Sequence, residues 1–425
     1  MTRRYEAPRG TTDVLPQDQP YWDRVWEASS RICSLFGYRR IETPVFEEAS
    51  LFTRGVGEVT DIVQKEMYVF QDRGGQELAL RPEGTAPVCR AYLEHGMHNL
   101  PQPVRLWYWC PIFRYDRPQA GRYRQHTQLG CEAIGEADAS VDAEVIELLF
   151  RLYEDLGLQG LTLHVNSIGD SACRPRYVEA LRGYYADKLK QVCNDCEGRY
   201  ERNPLRLLDC KQERCQPVIA AAPPFVDYLC DACAEQFDRL RSSLEEVGID
   251  YVVNPRLVRG LDYYTRAVFE FQPQEEGAQS TVGGGGRYDG LIELLGGRPT
   301  PGTGFATGIE RVVLNLKRQE VDVGEALRPQ VFVAYQTPEA RSQAFRLASD
   351  LRRQGIATVV AAGERSLKAQ MRHADALGAA YAAIIGQREL RDGTASLRRL
   401  ADSSQETVPL GEVAIHIQAA AQRRP

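Results

Sequence analysis

The chain has 425 residues, 43% of them hydrophobic and 26% charged, with a formal net charge of −6. That length exceeds one ordinary core and predicts two domains with an inserted third, while no apolar run approaches the roughly 18 residues of a membrane-spanning helix. The acidic balance argues against a generally basic nucleic-acid coat, and the N-terminus has no apolar stretch behind its basic residues to make a secretory signal, so a cytoplasmic protein without a membrane partner is expected.

Tyr21 to Phe36 predicts an amphipathic helix, since Trp22, Val25, Trp26, Ile32, Leu35 and Phe36 recur near helical spacing before Gly37. Strands are predicted over Tyr38 to Val45, Met67 to Phe70, Leu78 to Arg81 and Val104 to Phe113, where β-branched and aromatic residues run together. A helix follows over Ala139 to Asp155, its stripe made by Val141, Val145, Leu148, Leu149 and Leu152. Strands and helices in this mixed order, without steady βαβ alternation, predict an α+β body on a mostly antiparallel sheet with flanking helices. Residues 171–248 are charged, cysteine-containing and helical, and strands return at Tyr251 and over Ala267 to Phe271, so 171–248 reads as an inserted helical subdomain of a catalytic domain spanning 1–325. After a linker near Arg318 to Pro329, short apolar strands at Val331 to Tyr335, Ile356 to Ala361 and Ala382 to Ile385 alternate with helical stretches. A small α/β domain with a largely parallel sheet is therefore predicted over 330–425. That domain carries 13 basic and 9 acidic residues, a net +4, against −10 for the rest.

The run from Arg259 through Asp262, Tyr263 and Tyr264 to Thr265, followed by Gly283 to Gly286 and then Arg287, Tyr288 and Asp289, carries the most information. Aromatic, acidic and cationic groups recur there beside glycines that let backbone approach a ligand, a mixture suited to a small polar molecule next to a phosphate. Phe113 to Glu132 reads as a strand, a glycine-containing turn and a return strand, with Arg114, Arg117, Arg122 and Arg124 around one mouth. Guanidinium forks there could grip a nucleotide triphosphate. Gly302 to Gly308 precedes an apolar helix starting near Ile309, on which Arg311 can neutralise a terminal phosphate.

Taken together, these segments and the Arg81 to Thr85 stretch resemble the class II aminoacyl-tRNA synthetases, and most specifically the histidyl-tRNA synthetase family. The resemblance covers essentially the whole chain: Pro8 to Pro16 at the start, Gly37 to Pro44 as the first class motif, Phe113 to Glu132 as the second and Gly304 to Arg311 as the third. It implies ATP-dependent activation of L-histidine to histidyl-adenylate, with Mg²⁺ accompanying ATP, then acyl transfer to the 3′-terminal adenosine of tRNA(His), in a homodimer whose last domain binds the anticodon. By the same resemblance Arg259 and Arg114 are catalytic at the α-phosphate. Glu83, Thr85 and Gln128 receive the substrate's α-amino group, and Glu132 and Tyr264 read the imidazole, with Tyr288 on the same histidine side. Arg114, Asp116, Arg122, His126 and Arg311 form the ATP set. Two positions depart from the family's commonest pattern: His126 stands where a phenylalanine often stacks on adenine, and Asp116 where a glutamate often contacts the adenine amino group.

Eleven cysteines in a reducing compartment do not predict a disulfide framework. Six of them, from Cys193 to Cys233, fall within 41 positions. Cys193 and Cys196, followed by Cys210 and Cys215, have a spacing that suits a structural zinc ion; the alternative is a group of reduced thiols on helices. The competing functional reading is a non-catalytic, histidine-sensing relative that resembles the regulatory subunit of ATP phosphoribosyltransferase. The domain after Pro329, the arginines Arg114, Arg259 and Arg311, and the unbroken run to Thr265 argue against it.

Overall fold

The computed structural model describes residues 5–57, 60–118, 121–274, 281–324 and 326–421, and its chain divides into two compact units at Gly324. The basic residues at positions 1–4 lie outside the described residues.

The first unit is built on an eight-stranded sheet. In spatial order its strands are Arg39–Arg40, Val104–Phe113, Gln125–Ile134, Gly302–Gly308, Gly283–Arg287, Thr265–Pro273, Leu161–Ser167 and Val252–Val253. The six inner strands pair antiparallel, and only the two-residue strands at the edges join in parallel, so the sheet is mixed with an antiparallel centre. Side-chain alternation gives this sheet two different faces. Along Gln125–Ile134, Leu129, Cys131 and Ala133 enter a core that also holds Val145, Leu149 and Leu152 from the helix Ala139–Asp155. Asp138 caps that helix, accepting from the Ser140 N–H at 2.8 Å. His126, Gln128, Gly130 and Glu132 point the other way, toward the cleft described below.

The two glycine-rich runs, to which no secondary structure was assigned from sequence, are both strands. Gly283–Arg287 and Gly302–Gly308 pair with each other in the middle of the sheet. A Cβ on Gly285 would stand 1.9 Å from the Gly304 carbonyl oxygen, so strand contact requires that glycine. The predicted strand over Tyr38 to Val45 shrinks to Arg39–Arg40, with Phe46–Glu48 opening a separate three-stranded sheet with Glu77–Leu80 and Tyr68–Gln71.

Residues 171–248 form a chain of helices whose buried apolar side chains are continuous with those of the body. Phe237, Leu240 and Leu244 of the helix Asp231–Glu246 join the main core, while Tyr177, Leu181 and Tyr185 of Arg174–Tyr185 join a second core with Tyr108 and Tyr264. The insertion is thus fused to the body on both sides.

In the second unit the strands Thr358–Val360, Val331–Tyr335 and Tyr381–Ile385 are parallel, with the helices Pro338–Arg353 and Leu367–Ala376 between them. An antiparallel hairpin, Thr394–Arg399 and Gln405–Pro409, extends this sheet beyond the strands that apolar patterning identified.

Candidate active site

A cleft of ≈ 960 Å³ opens on the polar face of the central sheet. Its depth comes from missing side chains. Gly130, Gly284, Gly286 and Gly304 occupy facing positions on three adjacent strands, and a Cβ on Gly130 would come within 2.1 Å of the Tyr108 ring. On Gly304 it would come within 2.0 Å of the Glu132 carboxylate. These glycines let larger polar groups from neighbouring strands lie across the floor.

At one end the cleft is acidic. Glu83 precedes the helix Thr85–Glu94, and its two oxygens accept from the first free amides, Thr85 N–H at 2.7 Å and Ala86 N–H at 2.9 Å. Burial pushes its carboxyl above the usual range, opposed by those two amides. Glu132 is 1% exposed and lies one layer behind the wall. It accepts from Tyr288 Oη at 2.6 Å, Thr85 Oγ1 at 2.8 Å and Tyr108 Oη at 3.4 Å. Burial raises its carboxyl to about 8, against the pull of these hydroxyls, so at neutral pH it carries a proton and can donate as well as accept. Tyr264, Tyr288 and Gln128 stand in the wall itself.

The other end is cationic. Arg114 Nε donates to the Pro82 carbonyl at 2.7 Å, and Arg311 donates to the carbonyls of Gly121 at 2.9 Å and Thr281 at 2.7 Å. Backbone carbonyls orient these guanidiniums without cancelling their charge. Burial and the nearby Arg122 and Arg114 all lower the Arg311 pKa, the mark of cations crowded around space for an anion. Arg122 lies 3.6 Å from Asp116 in a partly exposed pair. His126 sits between Arg114 and Arg311. Burial first, then these two arginines, bring its pKa down to about 3, so its ring is neutral and flat.

Between the two ends lies Arg259, whose Nη1 is paired with Glu270 Oε1. Glu270 is further held by Gln272 Nε2 at 2.8 Å and by Thr281 Oγ1. The Arg259 guanidinium is 5.5 Å from the centre of the Tyr264 ring, and its buried Nε has no hydrogen-bond partner within the described residues. One cleft therefore gathers every expected site residue of the catalytic, histidine and ATP sets except Glu132, which backs it.

Arg287 and Asp289, read in sequence beside the ligand, have a different task. Arg287 is fully buried, with Nε 3.0 Å from Asp142 and Nη1 3.2 Å from Asp289, and it also ties down the carbonyls of Glu136 and Asp138. Arg81 likewise clamps the carbonyls of Thr43, Pro44 and Pro111. Sequence reasoning missed Glu270 and Glu310, both in the cleft wall. Glu270 had a legible signal: it alternates with Phe269 and Phe271, so a carboxylate on that strand had to face away from the core. Glu310 accepts the Thr127 N–H through both oxygens, at 2.8 and 3.0 Å, and burial raises its carboxyl to about 7.

Where the insertion borders the cleft, with Cys210 in its lining, the sulfurs of Cys193, Cys196, Cys210 and Cys215 lie within 4.8 Å of one another. The Cys193 N–H donates to Cys215 Sγ at 3.2 Å.

The chain as a whole is similar to known proteins. The histidyl-tRNA synthetase family profile matches residues 10–312, and that of an anticodon binding domain matches 330–419. A histidine–tRNA ligase of Dehalococcoides mccartyi is 57% identical over 413 residues, covering 97% of this chain and 99% of that protein. One from Desulforamulus reducens is 49% identical over 412 residues, covering 97% and 98%. The crystal structure of apo S. aureus histidyl-tRNA synthetase superposes with a TM-score of 0.82 at 36% identity, covering 98% of this chain and 100% of that one.

Proposed function

This chain belongs to the histidyl-tRNA synthetase family and joins histidine to tRNA at the expense of ATP, and we propose that its cleft divides that work between an acidic end for the amino acid and a cationic end for the nucleotide. The observation that carries this division is Arg259: paired with a carboxylate that is itself held in place by Gln272 and Thr281, it stands where the two ends meet.

At the acidic end the α-ammonium group of histidine meets Glu83, Thr85 and Gln128. Glu83 keeps acceptor capacity after receiving two amides, and an ammonium needs up to three acceptors. Tyr264 meets the imidazole directly. Glu132 acts through Tyr288 and Thr85, whose hydroxyls it orients, so that ring nitrogens meet fixed dipoles rather than water. An apolar amino acid of similar size would leave these groups unpaired, which rejects it without an editing site.

At the cationic end Arg114 holds the α-phosphate and Arg311 the γ-phosphate, with Arg122 near the mouth and His126 offering a ring face to adenine. The histidine carboxylate attacks the α-phosphorus in line; pyrophosphate leaves and histidyl-adenylate forms. Arg259 screens the repulsion between carboxylate and phosphate and stabilises the charge that gathers on the phosphate oxygens. A tRNA 3′-terminal adenosine then takes the acyl group through its 3′-hydroxyl, with AMP as the leaving group. Mg²⁺ supplies phosphate charge neutralisation when bound. Glu310 is the carboxylate that fits it, because Glu270 is already filled by three donors whereas Glu310 receives one amide and faces the cleft.

Three further assignments complete the proposal. Cys193, Cys196, Cys210 and Cys215 hold a structural zinc, supported by four ligand atoms at tetrahedral reach and an N–H donated to one sulfur. The second unit binds the tRNA anticodon, supported by its matching profile and by exposed Arg365, Lys368 and Arg372 near one helix start. Phe46, Val69 and Phe70, each 42–50% exposed on the small three-stranded sheet, form part of a homodimer interface.

Histidine-dependent exchange of labelled pyrophosphate into ATP tests the assignment. Exchange that requires histidine supports it; folded protein that binds histidine without exchange would be the sensing relative instead.

A further inference from the structure

We propose a second structural metal site, of the zinc class, formed by Asp170, Cys173, Cys230 and Cys233. One ligand atom from each of these four lies within 4.8 Å of all the others. A zinc ion with sulfur ligands at about 2.3 Å has tetrahedral edges of about 3.8 Å, so small rotations of the side chains close the site. The residues come from two places, about 60 positions apart in the chain. Asp170 follows the strand Leu161–Ser167, Cys173 caps the helix Arg174–Tyr185, and Cys230 and Cys233 stand at the cap and first turn of Asp231–Glu246. Two residues between cysteines at a helix start present both sulfurs to one ion.

The surroundings orient the carboxylate as a ligand. Asp170 Oδ2 receives Arg266 Nε at 3.3 Å and Nη2 at 3.2 Å, whereas Oδ1 lies 3.8 Å from Cys173 Sγ and accepts the Ala172 N–H at 2.9 Å. One oxygen is fixed from outside and the other faces the sulfurs, as outer partners of metal sites do. Three thiolates and a carboxylate around a divalent ion leave a net −2, and Arg266 and Arg174 stand close enough to offset it. Cys173 and Cys233 are 3% and 1% exposed, which keeps solvent from competing for the ion.

The site also has a mechanical consequence. The insertion has only short helices in its middle, so an ion there would add a fixed joint to the apolar packing of Tyr177, Tyr185 and Phe225. An ion here would join the start of the insertion to its last helix, while the Cys193 cluster would hold the middle. Arg174 Nη2 donates to the Tyr264 carbonyl at 2.6 Å and Arg266 follows Thr265 directly, so the same joint steadies the loop from Arg259 to Thr265.

Metal analysis of the full-length protein, purified with Zn²⁺ present and then freed of loose ions, tests this. The wild type is expected to hold about two zinc ions per chain, and Cys230→Ser/Cys233→Ser about one. Should those substitutions prevent folding, zinc X-ray absorption of the wild type decides: a mean shell of about 3.5 sulfurs and 0.5 oxygen supports two sites, one S₄ and one S₃O. A single ion per chain with a pure four-sulfur shell overturns the proposal, as does zinc content unchanged in a folded Cys230→Ser/Cys233→Ser variant.

Discussion

Arg259 and Glu270 are joined as an ion pair on the cleft floor, and the carboxylate is held in turn by Gln272 and Thr281. Gly284 makes the pair possible, since a Cβ there would stand 2.9 Å from Arg259 Nη1. A long flexible cation is thereby fixed before any ligand arrives, so its orientation does not have to be found during the reaction.

Arg259→Ala should lower the rate of histidine-dependent pyrophosphate exchange by about 10²–10³, the usual loss when one preorganised transition-state donor is removed. Histidine affinity should change by less than about threefold, because the charge that Arg259 meets develops only during attack. The same substitution leaves Glu270 without its cation and should cost about 1–3 kcal/mol of stability. Adding Glu270→Gln should restore most of that stability and none of the rate. Steady-state exchange and denaturant melts of the single and double variants separate the two effects.

Glu132→Gln should stabilise the unliganded protein while impairing it. Burial holds the folded carboxyl near 8, above the value of about 4.3 for an exposed glutamate. The fold therefore prefers the protonated form, and wild-type stability is lost as pH rises from about 4 through 8. An amide does not ionise, so at pH 8.5 the variant should be more stable by about 1–3 kcal/mol. Its KM for histidine should rise at least about tenfold, since one of the two oxygens that receive Tyr288 and Thr85 becomes an amide NH₂, which donates and cannot accept. Melting temperatures from pH 5 to 8.5 and exchange kinetics measure both.

His126→Phe should retain activity and resist acid better. The folded pKa near 3 lies below the unfolded value of about 6.5, so the unfolded chain takes up the proton first and the wild type loses stability as pH falls from 6.5 toward 3. Phenylalanine has no such proton, and the variant should gain about 1–2 kcal/mol relative to wild type at pH 5. Exchange activity within about threefold of wild type is expected if the ring acts as a flat face, because both rings can stack.

Phe46→Glu with Phe70→Glu should yield a monomer at micromolar concentration by light scattering, where the proposed interface predicts a dimer for the wild type. The rings are 6.3 Å apart and both exposed, so two charges added there cost the monomer little and an apolar interface much.

Local pattern reveals elements whose periodicity is set by one buried face. The helix Ala139–Asp155 and the strand Val104–Phe113 have the bounds expected from their apolar residues, nearly all of which enter one core or the other. The hairpin at 394–409 escaped notice because each strand sends only one or two apolar side chains, Ala395 and Leu397 or Val408, into the core, too few to mark a strand among polar neighbours. Glycine strands escape for a related reason: nothing in a run of glycines distinguishes a loop from a strand whose neighbours need the room. In the cleft, the arginines and acceptors were legible as residue types, but their pairings were not. Arg287 and Arg259 look alike in sequence; one is locked against Asp142 for stability, and the other is poised on Glu270 in the open cleft.

The central claim is that these guanidiniums converge on one nucleotide while the glutamates and tyrosines hold histidine by both ends. A crystal structure of the protein with ATP and histidinol tests it most directly. The account predicts Arg259 and Arg114 hydrogen-bonded to the α-phosphate, Arg311 to the γ-phosphate, the amino group of histidinol on Glu83 and its imidazole beside Tyr264. An α-phosphate bound out of reach of Arg259, or an imidazole turned away from Tyr264, would contradict it.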